Sequence, residues 1–186
     1  MSTVTLPLGL AYIAGTLQAA GHPFHILDAV GEAPQKKTRY HRGYLIGLPL
    51  EEIAENIPES TTIVGITVVF THEWPAIVRL MDLIRQARPD LPIVIGGEHV
   101  TSMPEFCLAT SKADYIVIGE GEETVLELLD ALKRDGPLNE IKGLGYRENG
   151  EITVNSRRAR RLNLDDIPRP AWEQFAVDTY NQNGYV

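Results

Sequence analysis

Three stretches decide the fold of this chain: IVGITVVFTHE at residues 63–73, PIVIGGEH at residues 92–99 and DYIVIGEGE at residues 114–122. Each joins a short β-branched run to a loop of glycines or polar residues. Apolar runs of this length are typical of strands buried on both faces, in a parallel sheet covered by helices. Because ligands of such sheets bind beyond the carboxyl ends of the strands, the three loops are predicted to share one ligand edge.

Helical periodicity and turn signals complete the pattern around these strands. Amphipathic helices are predicted at Pro75–Arg88, Pro104–Thr110 and Glu122–Arg134. The dipeptide Asn149-Gly150, between two short apolar runs, predicts a β-hairpin. The proline-containing segment after the hairpin is predicted to be an extended linker. The sequence thus predicts a doubly wound, mostly parallel α/β sheet with a C-terminal hairpin and linker.

The N-terminal third gives weaker signals. A helix is predicted from Pro7 to the glycine cap at Gly21, and a short strand over Phe24–Ala29. Because the helix should cross over from an earlier strand, either Val4–Leu6 is a stub of that strand or the chain begins late. Gly31–Gly47 has no clear periodicity and is interpreted as an irregular, solvated excursion, followed by a brief helix at Leu50–Ile57.

Composition narrows the function classes. The chain has 186 residues and a net charge of −8, which argues against nucleic acid or an anionic membrane as the main partner. It has no apolar run of about 20 residues and no signal peptide pattern, so no membrane span is predicted. The single cysteine, Cys107, excludes an internal disulfide and is interpreted as a buried, inert thiol. A cytoplasmic location is predicted.

The strand-end loops contain candidate ligand-binding residues. Gly96-Gly97 could let a bulky ligand approach the backbone, although a plain tight turn is the commoner reason for a single glycine pair. Gly119–Glu122 leads into a helix, whose free amides suit an acceptor-rich ligand or simply form a capped helix start. Neither loop is a dinucleotide fingerprint or a Walker A motif.

Polar side chains in the same loops have ordinary alternatives as well. The hydroxyls of Thr67 and Thr71 could hydrogen-bond a ligand. Helix capping alone explains Thr71 equally well. His72 and His99 could ligate a metal or relay a proton, but a solvent-exposed or hydrogen-bonded histidine is the commoner case. Glu120 and Glu122 could form an acid/base pair, yet no nucleophile or orienting partner is visible beside them.

The order of these motifs resembles the N-terminal cobalamin-binding domain of cobalamin-dependent radical S-adenosylmethionine (SAM) enzymes, such as the anaerobic magnesium-protoporphyrin monomethyl ester cyclase and many methyltransferases. The resemblance rests on PLGLAYIA at residues 7–14, HILDA at 25–29, VGIT at 64–67, IGGEH at 95–99 and VIGEGEET at 117–124. The tail, from GLGY at residues 143–146 to LDDIPRPAW at 164–172, resembles the linker before the radical SAM barrel.

The resemblance implies a flavodoxin-like (Rossmann-like) sheet with cobalamin over its carboxyl edge and the nucleotide tail inserted among the strands. It implies a cobalamin-binding domain over residues 1–136, and a hairpin and linker over residues 137–186. The implied cofactor-binding residues are Thr67, Val68, Val69, Thr71, Gly96, Gly97, Glu98, His99, Gly119, Glu120, Gly121 and Glu122. No catalytic residue and no metal ligand is assigned.

Three departures from the family pattern shape the functional hypothesis. The three-cysteine motif that binds the family's iron–sulfur cluster is absent, so SAM and the 4Fe–4S cluster are expected only in a full-length relative. The Asp-x-His-x-x-Gly loop of methionine-synthase-like relatives would precede Pro7. Because no histidine occurs before His22, cobalamin is expected to bind base-off without that ligand. The first strand is expected to be curtailed to Met1–Leu6.

The leading hypothesis is a cobalamin-binding module that works with a radical SAM catalytic domain in cis or in trans, without a complete active site of its own. One alternative is a ligand-free flavodoxin-like scaffold, in which the basic patch Arg157, Arg158, Arg160 and Arg161 docks an acidic partner. A third is a nucleotide- or flavin-binding enzyme that uses the same strand-end loops.

Overall fold

The computed structural model describes residues 4–185. The helices are α1 (Leu8–Ala19), α2 (Ala29–Glu32), α3 (Leu50–Glu55), α4 (Trp74–Ala87), α5 (Glu98–Ser102), α6 (Pro104–Ala109), α7 (Glu122–Arg134) and α8 (Val177–Gln182). The strands are β1 (Lys37–Tyr40), β2 (Gly43–Ile46), β3 (Val64–Thr67), β4 (Ile93–Gly96), β5 (Tyr115–Val117), β6 (Leu144–Glu148) and β7 (Glu151–Val154). Short 3₁₀ helices lie at Thr71–Glu73, Leu164–Asp166 and Trp172–Gln174. The chain divides into two compact units, one over Ser60–Ile167 and one formed by the residues up to Glu59 together with those from Pro168.

The unit Ser60–Ile167 contains a five-stranded sheet in the order β3-β4-β5-β6-β7. β3, β4 and β5 pair in parallel, and β6 and β7 then add antiparallel strands to the edge of β5. Ile93, Ile95 and Ile116 are completely buried in the sheet. This confirms the three strands and the α/β fold class that the sequence predicts. The hairpin at Asn149-Gly150 is also confirmed, and it extends this sheet.

Helices cover the sheet because their apolar stripes match the strands. α4 buries Leu80, Met81 and Ile84, and Leu128 of α7 belongs to a cluster with Ile141, Leu144 and Tyr146. α7 has the predicted bounds, with Glu122 and Glu123 in its first turn and Lys133 and Arg134 in its last, as the helix dipole favours. α5 was not predicted, because five residues are too short to show helical periodicity.

The grouping of residues differs from the division at residue 136 that the resemblance implies. Tyr146 of β6 pairs with Tyr115 of β5, so the hairpin is continuous with the main sheet. The residues from Pro168 belong to the other unit. The division into a cofactor domain and a linker concerns function, and it stays a prediction.

The other unit is built around α1, whose buried residues Ala11 and Ala14 pack with Ala171 and Phe175 from the C-terminal segment. The Ala171 backbone N–H donates a hydrogen bond to the Ala11 carbonyl, 2.9 Å away. The C-terminal segment is therefore more ordered than a linker predicts. Its aromatic and small residues supply the apolar surface against which α1 packs. The linker was predicted from the two prolines of this segment, which do not indicate such packing.

Two predictions for this unit are wrong. Phe24–Ala29 is not a strand: residues up to Asp28 are irregular, and Phe24 and Ile26 pack against the α1 cluster. A strand needs a neighbour for its backbone hydrogen bonds, and no described strand pairs with this segment. Gly31–Gly47 is not irregular, because β1 and β2 form a hairpin there, with His41 in the left-handed region at the turn. Both strands are short and partly exposed, and β1 is mainly polar, so no apolar alternation revealed the hairpin.

Val4–Leu6 forms no strand, and Met1–Thr3, the rest of the predicted first strand, lie outside the described residues. Over residues 4–185, no helix has the length and apolar character needed to cross a membrane.

Burial of Cys107 raises the pKa of its thiol from about 9.0 to about 11. The side chain is completely buried in α6. Because the thiolate is the reactive form, iodoacetamide is expected to leave Cys107 unmodified at pH 8 in the folded protein and to alkylate it fully in urea. A raised pKa also means that this thiol's contribution to stability is complete below pH 9 and is lost as the pH rises towards 11. Mass spectrometry of both samples tests this prediction, and rapid alkylation of the native protein would refute it.

Gly15 and Gly9 of α1 offer a matched test of the packing of the C-terminal segment. A Cβ on Gly15 would lie 2.0 Å from the Arg169 carbonyl oxygen, whereas a Cβ on Gly9 would meet nothing within 4 Å. Gly15→Ala is expected to lower the free energy of unfolding by about 1–3 kcal/mol, as overpacking does. Gly9→Ala should leave it unchanged or raise it by up to about 1 kcal/mol, because alanine favours helix. Urea denaturation of both variants provides the measurement, and equal effects would contradict the packing described.

Candidate functional site

The carboxyl ends of β3, β4 and β5 lie side by side. In the parallel register Thr67 is opposite Gly96, and Gly96 is opposite Val117. The loops that leave these positions therefore start from adjacent points on one edge of the sheet, as the sequence predicts. This edge is the candidate functional site.

Gly97 is the point of closest approach between the first two loops. Its φ is 115°, and a Cβ there would lie 2.6 Å from the Val68 carbonyl oxygen. The Val68 N–H donates to the Gly96 carbonyl at 2.7 Å, and the His99 N–H donates to the Val68 carbonyl at 3.2 Å. The absent side chain at Gly97 thus makes room for the protein's own backbone, and the predicted tight turn is part of the sheet's architecture.

His99 ties these two loops together through its side chain. The imidazole is 3% exposed, and its Nδ1 lies 3.2 Å from the Thr71 hydroxyl. The rings of Trp74 and Phe106 pack beside it, with centroids 5.1 Å and 6.4 Å away. Nε2 is buried and has no protein partner. A buried polar atom of this kind costs free energy unless water or a ligand satisfies it, so His99 has unused hydrogen-bonding capacity at this edge.

The third loop has a different character. Gly119 has a φ of 78°, and a Cβ there would meet nothing within 4 Å. Its N–H donates to the Thr101 hydroxyl at 2.9 Å, which connects the loop to α5. The side chain position of Gly119 therefore opens into free space at the ligand edge. Thr101 was missed by the sequence analysis, because one threonine in a short helix gives no periodic or motif signal.

Acidic side chains of this loop are held by arginines from the segment Arg157–Ile167, which we call the arginine strap. Glu120 Oε2 accepts a hydrogen bond from the Arg161 backbone N–H at 3.0 Å. Glu123 pairs with Arg158 Nη1 at 2.7 Å and with Arg161. A small cavity of about 100 Å³ lies among these residues. These pairs could not be predicted from local sequence patterns, because the partners are more than 30 positions apart.

The basic patch that the scaffold hypothesis needs is largely engaged within the chain. Arg158 bonds Glu123 and Glu127, and Arg161 bonds Glu123 and the Asp166 carbonyl. Arg157 reaches the Thr101 carbonyl at 3.3 Å. The pairs leave less basic charge for an acidic partner than the sequence suggests.

The structure distributes the twelve predicted residues over one edge but in unlike environments. Val68 and His99 are buried, while Val69 is 45% exposed just beyond the strand. The remaining residues are partly or fully exposed: Thr67, Thr71, Gly96, Gly97, Glu98, Gly119, Glu120, Gly121 and Glu122. His72, for which the sequence allowed either a ligand-binding or an ordinary surface role, is exposed and stacks on Phe70. Glu120 and Glu122 flank Gly121, the N-cap of α7, and the described part of the site shows no catalytic pair for them.

Three features of this edge bear on the binding of a large ligand. Gly119 leaves a space that a side chain would fill, Val69 exposes an apolar surface, and His99 Nε2 is an unsatisfied hydrogen-bonding atom. A corrin requires this combination of room, apolar contact and a few polar groups.

Comparison with known proteins gives the family. The B12 binding domain family matches residues 2–129, so the chain belongs to this family. It is 32% identical over 186 residues to an uncharacterised methyltransferase of Pyrococcus horikoshii, covering 99% of this chain and 37% of that protein. It is 29% identical over 180 residues to the anaerobic magnesium-protoporphyrin IX monomethyl ester cyclase of Synechocystis, covering 96% of this chain and 33% of that protein.

A solved structure supports the fold. The radical S-adenosylmethionine methyltransferase TsrM from Kitasatospora setae, with cobalamin and a 4Fe–4S cluster bound, superposes with a TM-score of 0.68 at 18% identity. The alignment covers 90% of this chain and 29% of that chain. The flavodoxin-like fold and the cobalamin-binding class that the sequence predicts are therefore confirmed. The chain spans little more than a third of the length of the curated relatives it matches.

Gly96 and Gly97 allow a direct test of the geometry at this edge. A Cβ on Gly96 would make only ordinary contacts, 3.6 Å from Val117, whereas a Cβ on Gly97 would collide with the Val68 backbone at a positive φ. We expect Gly97→Ala to lower the free energy of unfolding by about 2–4 kcal/mol, from strain and overpacking together. Gly96→Ala should change it by less than about 1 kcal/mol. Urea denaturation monitored by circular dichroism measures both, and a stable Gly97→Ala protein would show that the glycine is not structurally required.

Proposed function

We propose that this chain binds cobalamin at the carboxyl edge of β3, β4 and β5, with the corrin and nucleotide tail contacting the three strand-end loops. The register that aligns Thr67, Gly96 and Val117 is the observation that carries the proposal. Because the strand ends are aligned, the three loops that contain the twelve residues implied by the family resemblance start from adjacent strands, which supports the proposal. The match of the B12 binding domain family to residues 2–129 supports the ligand.

Each loop supplies a different kind of contact. Thr67 ends β3 and offers a hydroxyl to the nucleotide tail, and Val69, two residues later, offers an exposed apolar surface. His99 offers Nε2 as a hydrogen-bonding atom within a largely apolar enclosure. Gly119 leaves the backbone open, so that the amide fringe of a corrin can approach main-chain groups without meeting a Cβ.

The cobalamin is proposed to bind base-off. His99, the histidine of the loop after β4, already hydrogen-bonds Thr71 inside the protein and is not proposed as a cobalt ligand. When bound, the corrin would carry a methyl group or support redox chemistry for a substrate held elsewhere. The chain's own residues would bind and orient the cofactor and exclude water from its tail.

We further infer that the module works with a radical SAM catalytic domain, in cis or in trans. TsrM has both cobalamin and a 4Fe–4S cluster bound, and the chain matches only part of that enzyme. SAM and the cluster are assigned to such a catalytic domain, because the single cysteine of this chain cannot supply a cluster site. A cytoplasmic location is proposed as well.

The ligand is tested by incubating the purified protein with hydroxocobalamin, removing free cofactor by desalting and recording the visible spectrum. Retention of a stoichiometric corrin with a base-off spectrum is expected. A folded protein that retains no corrin would overturn the proposal. Retention of flavin mononucleotide in a parallel incubation would favour the flavin-binding alternative.

The position of the site is tested with two glycines of similar conformation. Gly119 and Gly150 have φ values of 78° and 84°, and a Cβ on either would meet nothing within 4 Å. Asparagine tolerates this conformation, so Gly119→Asn and Gly150→Asn should both fold. Gly119→Asn is expected to weaken hydroxocobalamin binding about tenfold or more, because its side chain enters the proposed site, a loss of about 1.4 kcal/mol or more. Gly150→Asn, in the hairpin turn, should bind normally, and equal affinities would place the site elsewhere.

A further inference from the structure

The loop after β5 is held in place by groups that the cofactor resemblance does not include. Ile118, immediately before Gly119, donates its N–H to the Gly143 carbonyl at 2.8 Å. Gly143 in turn donates to the Ser156 carbonyl at 2.8 Å, next to the start of the arginine strap. The loop and the strap are thus joined at their base through one residue.

The strap then contacts both neighbours of this loop. Arg157 donates to the carbonyl of Thr101, whose hydroxyl accepts from the Gly119 N–H. On the other side, the Arg161 N–H donates to the Glu120 carboxylate. The residues Gly119 and Glu120 are therefore bracketed by contacts that lead to the same segment.

Arg158 is the central group of the strap. Its side chain is only 16% exposed and reaches Glu123 at 2.7 Å, Glu127, the Thr124 hydroxyl at 3.2 Å and the Lys142 carbonyl at 3.3 Å. Thr124 is completely buried and donates its own hydroxyl to the Lys142 carbonyl at 2.9 Å. Arginine suits this position because its planar guanidinium offers five N–H groups in a fixed geometry. The first turn of α7 is therefore fixed against the chain that enters β6.

We propose that Arg158 and Arg161 are positioning residues for the cobalamin site, which hold the Gly119–Glu122 loop in its binding conformation through Glu123 and Glu120. This inference rests on the proposed function and deepens it. Neither arginine needs to contact the cofactor. The strap restricts the loop to few conformations before the ligand binds, so the loop loses less conformational entropy on binding.

Glu123 is the best point for a test, because it pairs with both arginines. Asp130 on the same helix pairs with Arg134, at 3.7 Å on the exposed surface, and provides a matched control. Glu123→Gln and Asp130→Asn each remove one carboxylate charge from α7. Glu123→Gln is expected to weaken hydroxocobalamin binding about three- to tenfold, whereas Asp130→Asn should bind as the wild type does.

Limited trypsin digestion supplies a readout that simple loss of stability would not reproduce. We expect Glu123→Gln to accelerate cleavage within the strap about fivefold, with no change at arginines elsewhere, since cleavage follows the population of the opened segment. Saturating hydroxocobalamin should slow strap cleavage in the wild type, because coupling between two equilibria is reciprocal. Arg158→Lys keeps the charge but not the forked geometry of the guanidinium. Its rate of strap cleavage should therefore lie between those of the wild type and Glu123→Gln.

The outcomes separate this inference from the proposed function. Wild-type affinity in Glu123→Gln, or strap cleavage that hydroxocobalamin does not change, would overturn the positioning role. If the wild type retains no corrin at all, the proposed function fails. Hydrogen exchange of the Gly119 amide then decides the inference alone: faster exchange in Glu123→Gln than in Asp130→Asn supports the strap as the support of this loop, and equal rates overturn it.

Discussion

The parallel register of β3, β4 and β5 is the constraint on which the rest of the structure depends. Parallel strands present all their carboxyl ends at one edge, so three loops distant in sequence are forced to start as neighbours. The opposite edge is closed by polar contacts. Asp114 accepts from the Ile93 N–H at 2.8 Å and from Arg85 at 2.7 Å, which fixes the starts of β4 and β5. With the strand starts fixed, Gly119 at the other end of the sheet leaves free space beside its backbone.

The described fold also explains why this edge remains a defined surface and not a collection of mobile loops. The first two loops are joined by Gly97 and by the hydrogen bond between Thr71 and His99. The third loop is held by Thr101 on one side and by the arginine strap on the other. A ligand that meets loops already fixed in this way pays less entropy on binding.

The sequence predicted the parts of the molecule in which one local pattern determines the structure. The β-branched runs around Ile66, Ile95 and Ile116 became strands, and α7 has its predicted bounds because acids, apolar residues and bases occupy the expected turns. The strand predicted at Phe24–Ala29 was wrong because strand formation depends on a partner that local sequence does not reveal. The same limit applies to the site. The loops could be found from their glycines, but the pairs of Arg158 and Arg161 with Glu123 join residues 35 and 38 positions apart.

The two glycine loops show why a motif alone does not assign a role. Gly97 and Gly119 both have positive φ at the end of a parallel strand, and the sequence treats them alike. At Gly97 the missing side chain is replaced by the Val68 backbone, whereas at Gly119 nothing replaces it. The first glycine is therefore needed for the close contact between the loops after β3 and β4, with or without a ligand. The second is free of any packing demand, as Gly150 of the hairpin turn is, so this geometry alone does not indicate a ligand. Gly119 differs from Gly150 in its place at the carboxyl edge of the parallel strands, and this place makes it the strand-end glycine that leaves room for the proposed ligand.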